Sequence, residues 1–192
     1  MTHSSADPVG RRLFGHRGIH RVTERRLDQA INHLVERVHL TCPQVELVVG
    51  VARGGARPSK ALAERLGAPS TLVFARHNTS EDTHLPASGD VMIDLAGLPE
   101  RLAGVTEGAT LLLVDDICGS GATLRILHRA LSPHLGEGTL LVDVVLCRNV
   151  GSDHVPDLVV WDVDDWVLFP WETVPTSSLP VVELPVPAER RS

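Results

Sequence analysis

The stretch LLLVDDICGSGAT, residues 111–123, restricts the fold more than any other part of the chain. Its apolar run predicts a buried strand over 110–114. Two adjacent carboxylates end that strand, a loop of small residues follows, and the period then becomes helical over 123–131. Each part has a physical use. The loop and the helix N-terminus present unpaired backbone N–H groups and the positive end of the helix dipole, which suits a phosphate. Gly119 and Gly121 allow close approach to the backbone, and Ser120 and Thr123 add hydroxyl donors. Asp115 and Asp116 cannot bind a phosphate. They suit a vicinal diol, a Mg²⁺ ion or a developing positive charge. A diacid beside a phosphate cradle describes a receptor for a sugar phosphate.

Three other readings of the stretch are weaker. A nucleotide-hydrolysing P-loop protein could carry such an acidic strand end. However, the single lysine of the chain, Lys60, sits in RPSKA with no glycine directly before it. Phosphoacceptor receiver domains pair aspartates at a strand end but lack a Gly-Ser-Gly loop behind them. An acidic turn kept for packing alone would not need two carboxylates and three small residues together.

The flanking pattern extends the strand–helix order. Leu27, Ile31, Leu34, Val35 and Val38 recur at helical spacing, with Thr23 as N-cap. Residues 45–51 read as a strand, 58–66 as a helix capped by Gly67, and 71–75 as a strand. A polar loop at 76–90 and a short strand at 91–95 follow. Further strands are expected at 139–146 and 158–161. Strands that are apolar on both faces and alternate with helices predict an α/β fold, a parallel twisted sheet flanked by helices. Ligands then bind at the carboxyl ends of the strands, where two Gly-rich turns sit, after Val51 and after Val114. We divide the chain into a lead-in at 1–21, a catalytic domain at 22–172, and a tail from 173 to 192. The tail holds four prolines and is expected to be extended or disordered.

Composition narrows the function classes. A net charge of −6 argues against a nucleic-acid binder. No apolar run is long enough to span a membrane, and the N-terminus lacks the apolar core of a secretory signal, so a cytoplasmic location is expected. Three scattered cysteines support neither a disulfide framework nor a zinc site.

Residues 114–123 resemble the phosphoribosyl-pyrophosphate (PRPP) signature of type I phosphoribosyltransferases: apolar strand, two acids, two variable residues, then the loop ending in Gly, a variable residue and Thr. The resemblance implies that fold, with a small hood built from terminal segments. It implies that Asp115 and Asp116 hold the ribose hydroxyls and a Mg²⁺ ion, directly or through water. Ile117, Cys118, Gly119, Ser120, Gly121, Ala122 and Thr123 would wrap the 5′-phosphate. Residues 48–66 look like the family's pyrophosphate loop and following helix. Ala52, Arg53 and Gly54 would then bind pyrophosphate, with a cis peptide at Ala52–Arg53 and weaker support for Arg57. The segment 147–172 is similar to the base-binding region of xanthine–guanine and hypoxanthine phosphoribosyltransferases. There Trp166 would stack on the base, Val167 would read its edge through the backbone, and Arg148 would touch the purine 6-oxygen.

What the resemblance implies overall is a PRPP-dependent pentosyltransferase of nucleotide salvage or nucleoside biosynthesis, a homodimer or homotetramer that releases pyrophosphate. Purine-using relatives usually carry an aspartate where this chain has Gly119, and that aspartate serves the purine N7. The missing base leaves other outcomes open: an acceptor that ionises without help, an unusual acceptor of specialised metabolism, another base among His77, Glu81, Asp82 and His84, or a regulator that binds PRPP without turnover. The loop 76–90 falls where the family has a closing lid.

Overall fold

The computed structural model describes residues 12–77, 91–95, 97–173 and 176–188. In chain order these form β1 (Ile19–Arg21), α1 (Glu24–Thr41), β2 (Val45–Ala52), α2 (Ala56–Leu66), β3 (Ser70–His77), β4 (Val91–Asp94) and α3 (Leu98–Leu102). β5 (Thr110–Cys118), α4 (Ala122–Leu131), β6 (Leu140–Asn149), β7 (Leu158–Val163), β8 (Trp166–Leu168) and β9 (Val181–Glu183) complete it.

Six strands make the main sheet in the order β4-β3-β2-β5-β6-β7. All neighbours are parallel except β4, which runs antiparallel on β3. β5 therefore lies inside the sheet, covered on both faces, and its residues Leu111 to Val114 are essentially buried. Strand alternation divides them. Leu112 and Val114 pack with Leu27, Ile31 and Leu34 of α1 and Leu62 of α2. Leu111 and Leu113 pack on the other side with Leu98 and Leu102 of α3 and Leu124, Leu127 and Leu131 of α4. Each such side chain contributes roughly 1.5–3 kcal/mol on burial. That fixes the register of β5 and so aims its polar end out of the sheet.

Local chemistry sets the ends of the helices. Thr23 accepts the Arg26 N–H through its hydroxyl and caps α1, as its position predicts. α2 begins at Ala56, two residues before the expected Pro58, and stops at Gly67 in the left-handed conformation.

A second sheet, β8-β1-β9, joins three short parallel strands from both ends of the chain. This is the expected hood. The tail is extended here, and β9 pairs with β1. The Arg26 Nε donates to the Leu184 carbonyl at 2.8 Å and the Trp161 indole N–H to the Pro185 carbonyl at 3.1 Å. The lead-in likewise contributes a strand. Most of the loop expected at 76–90, including Glu81, Asp82 and His84, lies outside the described residues. Its first two positions continue β3 instead, paired with β4.

Candidate active site

The β5–α4 turn places the acidic pair at the top of the sheet. β5 continues through both aspartates to Cys118 because β6 keeps pairing with it, Ile117 to Cys147 and Cys118 to Arg148. The turn is thereby reduced to Gly119–Gly121, and α4 opens at Ala122. Gly121 has φ of 78°, the left-handed region that glycine enters at least cost. The Arg125 guanidinium braces the turn by donating to the Ser120 carbonyl at 3.2 Å. Arg125 was not among the residues singled out from sequence, since its spacing reads as an ordinary helix surface. The Cys118 side chain points away, toward the Ser152 hydroxyl at 3.3 Å, so Cys118 offers the loop only its backbone.

Burial pushes the Asp115 carboxyl well up, and the neighbouring Asp116 charge adds to this. Burial, with the Glu172 charge, raises Asp116 to about 6. The Arg12 charge opposes both shifts. Arg12 offsets these shifts only in part, so a diol or cation bound at the half-buried diacid would relieve them further.

The second Gly-rich turn abuts the first. The Ala52–Arg53 peptide is cis, as the resemblance implies. A Cβ on Gly54 would lie 2.1 Å from the Asp116 Oδ2, so glycine there lets the β2–α2 turn close onto the acid. Arg53 is exposed at this turn. Arg57 turns elsewhere: its guanidinium pairs with Glu24 at 3.0 Å and lies 5.3 Å over the Trp171 ring.

Beside the acids a cleft of about 420 Å³ opens toward the hood. Asp116, Ile117, Trp166 and Val167 line it, four of the residues named from sequence. Phe14 faces the Trp166 ring at 6.4 Å between centroids, and Phe169 packs flat on Trp171 at 5.0 Å. Arg12, Phe14, Asn149, Asp165, Phe169 and Glu172 complete the lining. Arg148 is not among the lining residues; its Nε donates to Asp162 at 2.7 Å on the adjoining strand.

Sequence reasoning missed Arg12, Phe14, Asn149 and Asp165. No local pattern marks them, because they meet only through the docking of the chain's start onto its end. Burial alone would raise the Asp165 carboxyl. The backbone N–H groups of Arg17, Gly18, Trp166 and His16 outweigh it and hold the group below the usual range.

Behind the phosphate turn, buried Asp143 accepts from His128 Nε2 at 2.7 Å and His154 Nε2 at 2.6 Å. The bond to Asp143 raises the His128 pKa against a smaller opposing effect of burial. That contribution is full below the unfolded pKa near 6.5 and is lost as pH rises through the folded value. His128→Ala should therefore lower the thermal midpoint more at pH 5.5 than at pH 8.5. An equal loss at both values would contradict this account of the cluster.

The central strand of the parallel sheet thus ends in a diacid and a glycine-rich helix start, with a hood-covered cleft alongside. The family model for the phosphoribosyl transferase domain matches residues 22–177, and the chain belongs to that family. Solved structures agree. The chain is 25% identical to a purine phosphoribosyltransferase from Pyrococcus horikoshii at a TM-score of 0.65, covering 83% of this chain and 98% of that one. It is 18% identical to the xanthine-guanine-hypoxanthine phosphoribosyltransferase of Helicobacter pylori (TM-score 0.64, 80% and 93% covered). A hypothetical protein from Neisseria gonorrhoeae with bound ppGpp is 20% identical (TM-score 0.64, 82% and 91% covered). These last two likenesses establish the fold. No curated protein matches the chain. Among the described residues no helix is long and apolar enough to cross a membrane.

Proposed function

We propose that the protein transfers the 5-phosphoribosyl group from PRPP to a ring nitrogen of a heterocyclic base and releases pyrophosphate. The observation that carries this reading is the junction at Asp116. Its carboxylate touches the Gly54 turn on one side and lines the Trp166 cleft on the other. A ribose held there has its C1 between a pyrophosphate site and a base site.

The roles follow from the chemistry. Backbone N–H groups of residues 117–123 and the α4 N-terminus hold the 5′-phosphate. Asp115 and Asp116 accept hydrogen bonds from the ribose hydroxyls and stabilise positive charge as the glycosidic bond lengthens. Arg53 and the backbone at Ala52 and Gly54 receive the charge that develops on pyrophosphate. Trp166 stacks on the base, and Val167 reads its edge. Arg148 would reach the base only on leaving Asp162.

Mg²⁺ fits the donor set, since two adjacent half-buried carboxylates are hard oxygen ligands whose charge Arg12 offsets only in part. No group of three or more His, Cys, Asp or Glu gathers among the described residues. When bound, Mg²⁺ neutralises charge on the leaving pyrophosphate. Gly119 supports a second reading, PRPP binding without efficient turnover, because it supplies no proton acceptor.

Pyrophosphate release should require PRPP, Mg²⁺ and an acceptor together. Trp166→Ala should raise the acceptor KM about 5- to 100-fold through lost stacking, leaving the KM for PRPP unchanged. No pyrophosphate from any purine, pyrimidine or related heterocycle would favour the second reading.

A further inference from the structure

We propose that Arg12 is a specificity-determining residue of the acceptor site and selects heterocycles that bind as anions. The inference rests on the phosphoribosyl-transfer reading of the cleft and names the acceptor class.

Position comes first. The Leu13 N–H donates to Asn149 Oδ1, and Asn149 Nδ2 donates back to the Leu13 carbonyl, each at 2.8 Å. Asn149 is buried at the end of β6. The backbone next to Arg12 is thus pinned to the sheet beside the acidic pair. Arg12 then fills a particular space. A Cβ built on Gly119 would lie 2.3 Å from Arg12 Nε and 3.0 Å from its Cζ, and the three atoms nearest that Cβ all belong to Arg12. The guanidinium occupies the volume that any side chain at 119 would need.

Charge completes the argument. Among the described residues, Arg12 is the one cation lining the cleft. Three carboxylates share the lining, but two are engaged within the protein. Asp165 accepts from the Arg17 and Gly18 N–H groups, and Glu172 accepts the Phe169 N–H at 2.9 Å. The third, Asp116, belongs with Asp115 to the ribose. Once those acids hold the ribose, the Arg12 charge is left to the acceptor.

A guanidinium carries five donors, no acceptor, and does not give up its proton in proteins. A heterocycle that presents N–H to this group finds no acceptor on it. One that presents a deprotonated ring nitrogen or a carboxylate meets charge-assisted donors. The acceptor therefore enters with no proton on its reacting nitrogen, either because that nitrogen has released it to solvent or because, as in a pyridine ring beside a carboxylate, it never carried one. Its ring-nitrogen lone pair forms the bond to C1 of the ribose, and the C1–oxygen bond breaks with its electron pair leaving on pyrophosphate. The step balances without a general base, which accounts for Gly119.

The test uses paired probes that differ in an anionic group: nicotinate against nicotinamide and readily ionised xanthine against hypoxanthine, with orotate against uracil for binding alone because the orotate ring N–H keeps its proton. Quenching of tryptophan fluorescence reads binding, and pyrophosphate release with Mg²⁺ and PRPP reads turnover. Wild-type protein should favour the anionic member of at least one pair by about ten- to a hundredfold. Arg12→Gln should abolish that preference and Arg12→Lys should retain part of it. The double variant Arg12→Ala, Gly119→Asp removes the Arg12 atoms that the new side chain would meet and should shift preference to the neutral member. No anion preference in the wild type, or one that survives Arg12→Gln, overturns the proposal. Anion-selective quenching with no pyrophosphate from any probe would uphold Arg12 and reject phosphoribosyl transfer. Pyrophosphate from neutral members alone would do the reverse.

Discussion

Replacing Asp115 and Asp116 together by asparagine should abolish PRPP-dependent pyrophosphate release and raise the thermal midpoint at neutral pH. The two effects have one cause. Burial holds both carboxyls above their ordinary values, Asp116 at about 6. The folded protein then binds these protons more tightly than the unfolded chain, whose aspartates titrate near 3.9. Stability falls as pH rises from about 4 through about 6 as Asp116 ionises, and falls further where Asp115, also raised, ionises. Asparagine keeps the shape and removes the charge. At this chain length each kcal/mol recovered raises the midpoint by roughly 2–4 °C, a gain that should vanish at pH 4. Activity should fall about 10³-fold or more, the scale set by losing preorganised electrostatic partners of a transition state. The wild type should also lose affinity for PRPP as pH drops below about 6, when Asp116 takes up its proton. Melting curves and pyrophosphate assays at pH 4, 6 and 7.5 check each part. Retained turnover in the double variant would exclude these acids from the site.

The second large effect is expected at Gly121. Alanine there meets two obstacles. Its φ of 78° costs a residue with a Cβ roughly 1–2 kcal/mol. The new Cβ would also lie 2.2 Å from the His154 Cβ, an atom fixed close to the backbone. Either the β5–α4 turn or the segment bearing His154 must shift, and the N–H groups proposed to hold the 5′-phosphate shift with it. Gly121→Ala should raise the KM for PRPP about tenfold or more, since each charge-assisted hydrogen bond to phosphate is worth that much. Gly97→Ala is the control. It has a similar φ of 72° but nothing within 4 Å of the added carbon. It should cost stability alone and leave the KM for PRPP unchanged. Equal kinetic effects of the two variants would show that Gly121 serves only the fold.

The contrast between those glycines reflects what the sequence makes legible. The β5–α4 unit is readable because burial on both faces, a polar strand end and a small-residue turn all act locally. The same holds for α1, with Thr23 ahead of a regular apolar stripe, and for the two Gly-rich turns at strand ends. Lengths were less readable. β5 runs past its apolar residues because pairing with β6 continues, a property of the neighbour. α3, at Leu98–Leu102, is too short to show a helical period. β1, β8 and β9 are three residues each, and only their mutual pairing makes them strands. The cleft inherits this limit. Trp166 and Val167 were legible through a resemblance, but Arg12 and Phe14 reach the site through the Asn149 and Asp165 side chains, contacts between opposite ends of the chain.

The central claim is transfer of phosphoribose, and the most direct measurement follows the sugar itself. PRPP labelled with ¹³C in the ribose is incubated with Mg²⁺, the protein and each acceptor, and the products are resolved by mass spectrometry. The account predicts label in a nucleotide joined to the acceptor, with one pyrophosphate formed per labelled product. Label that stays in PRPP, or appears only as free ribose 5-phosphate, would contradict it.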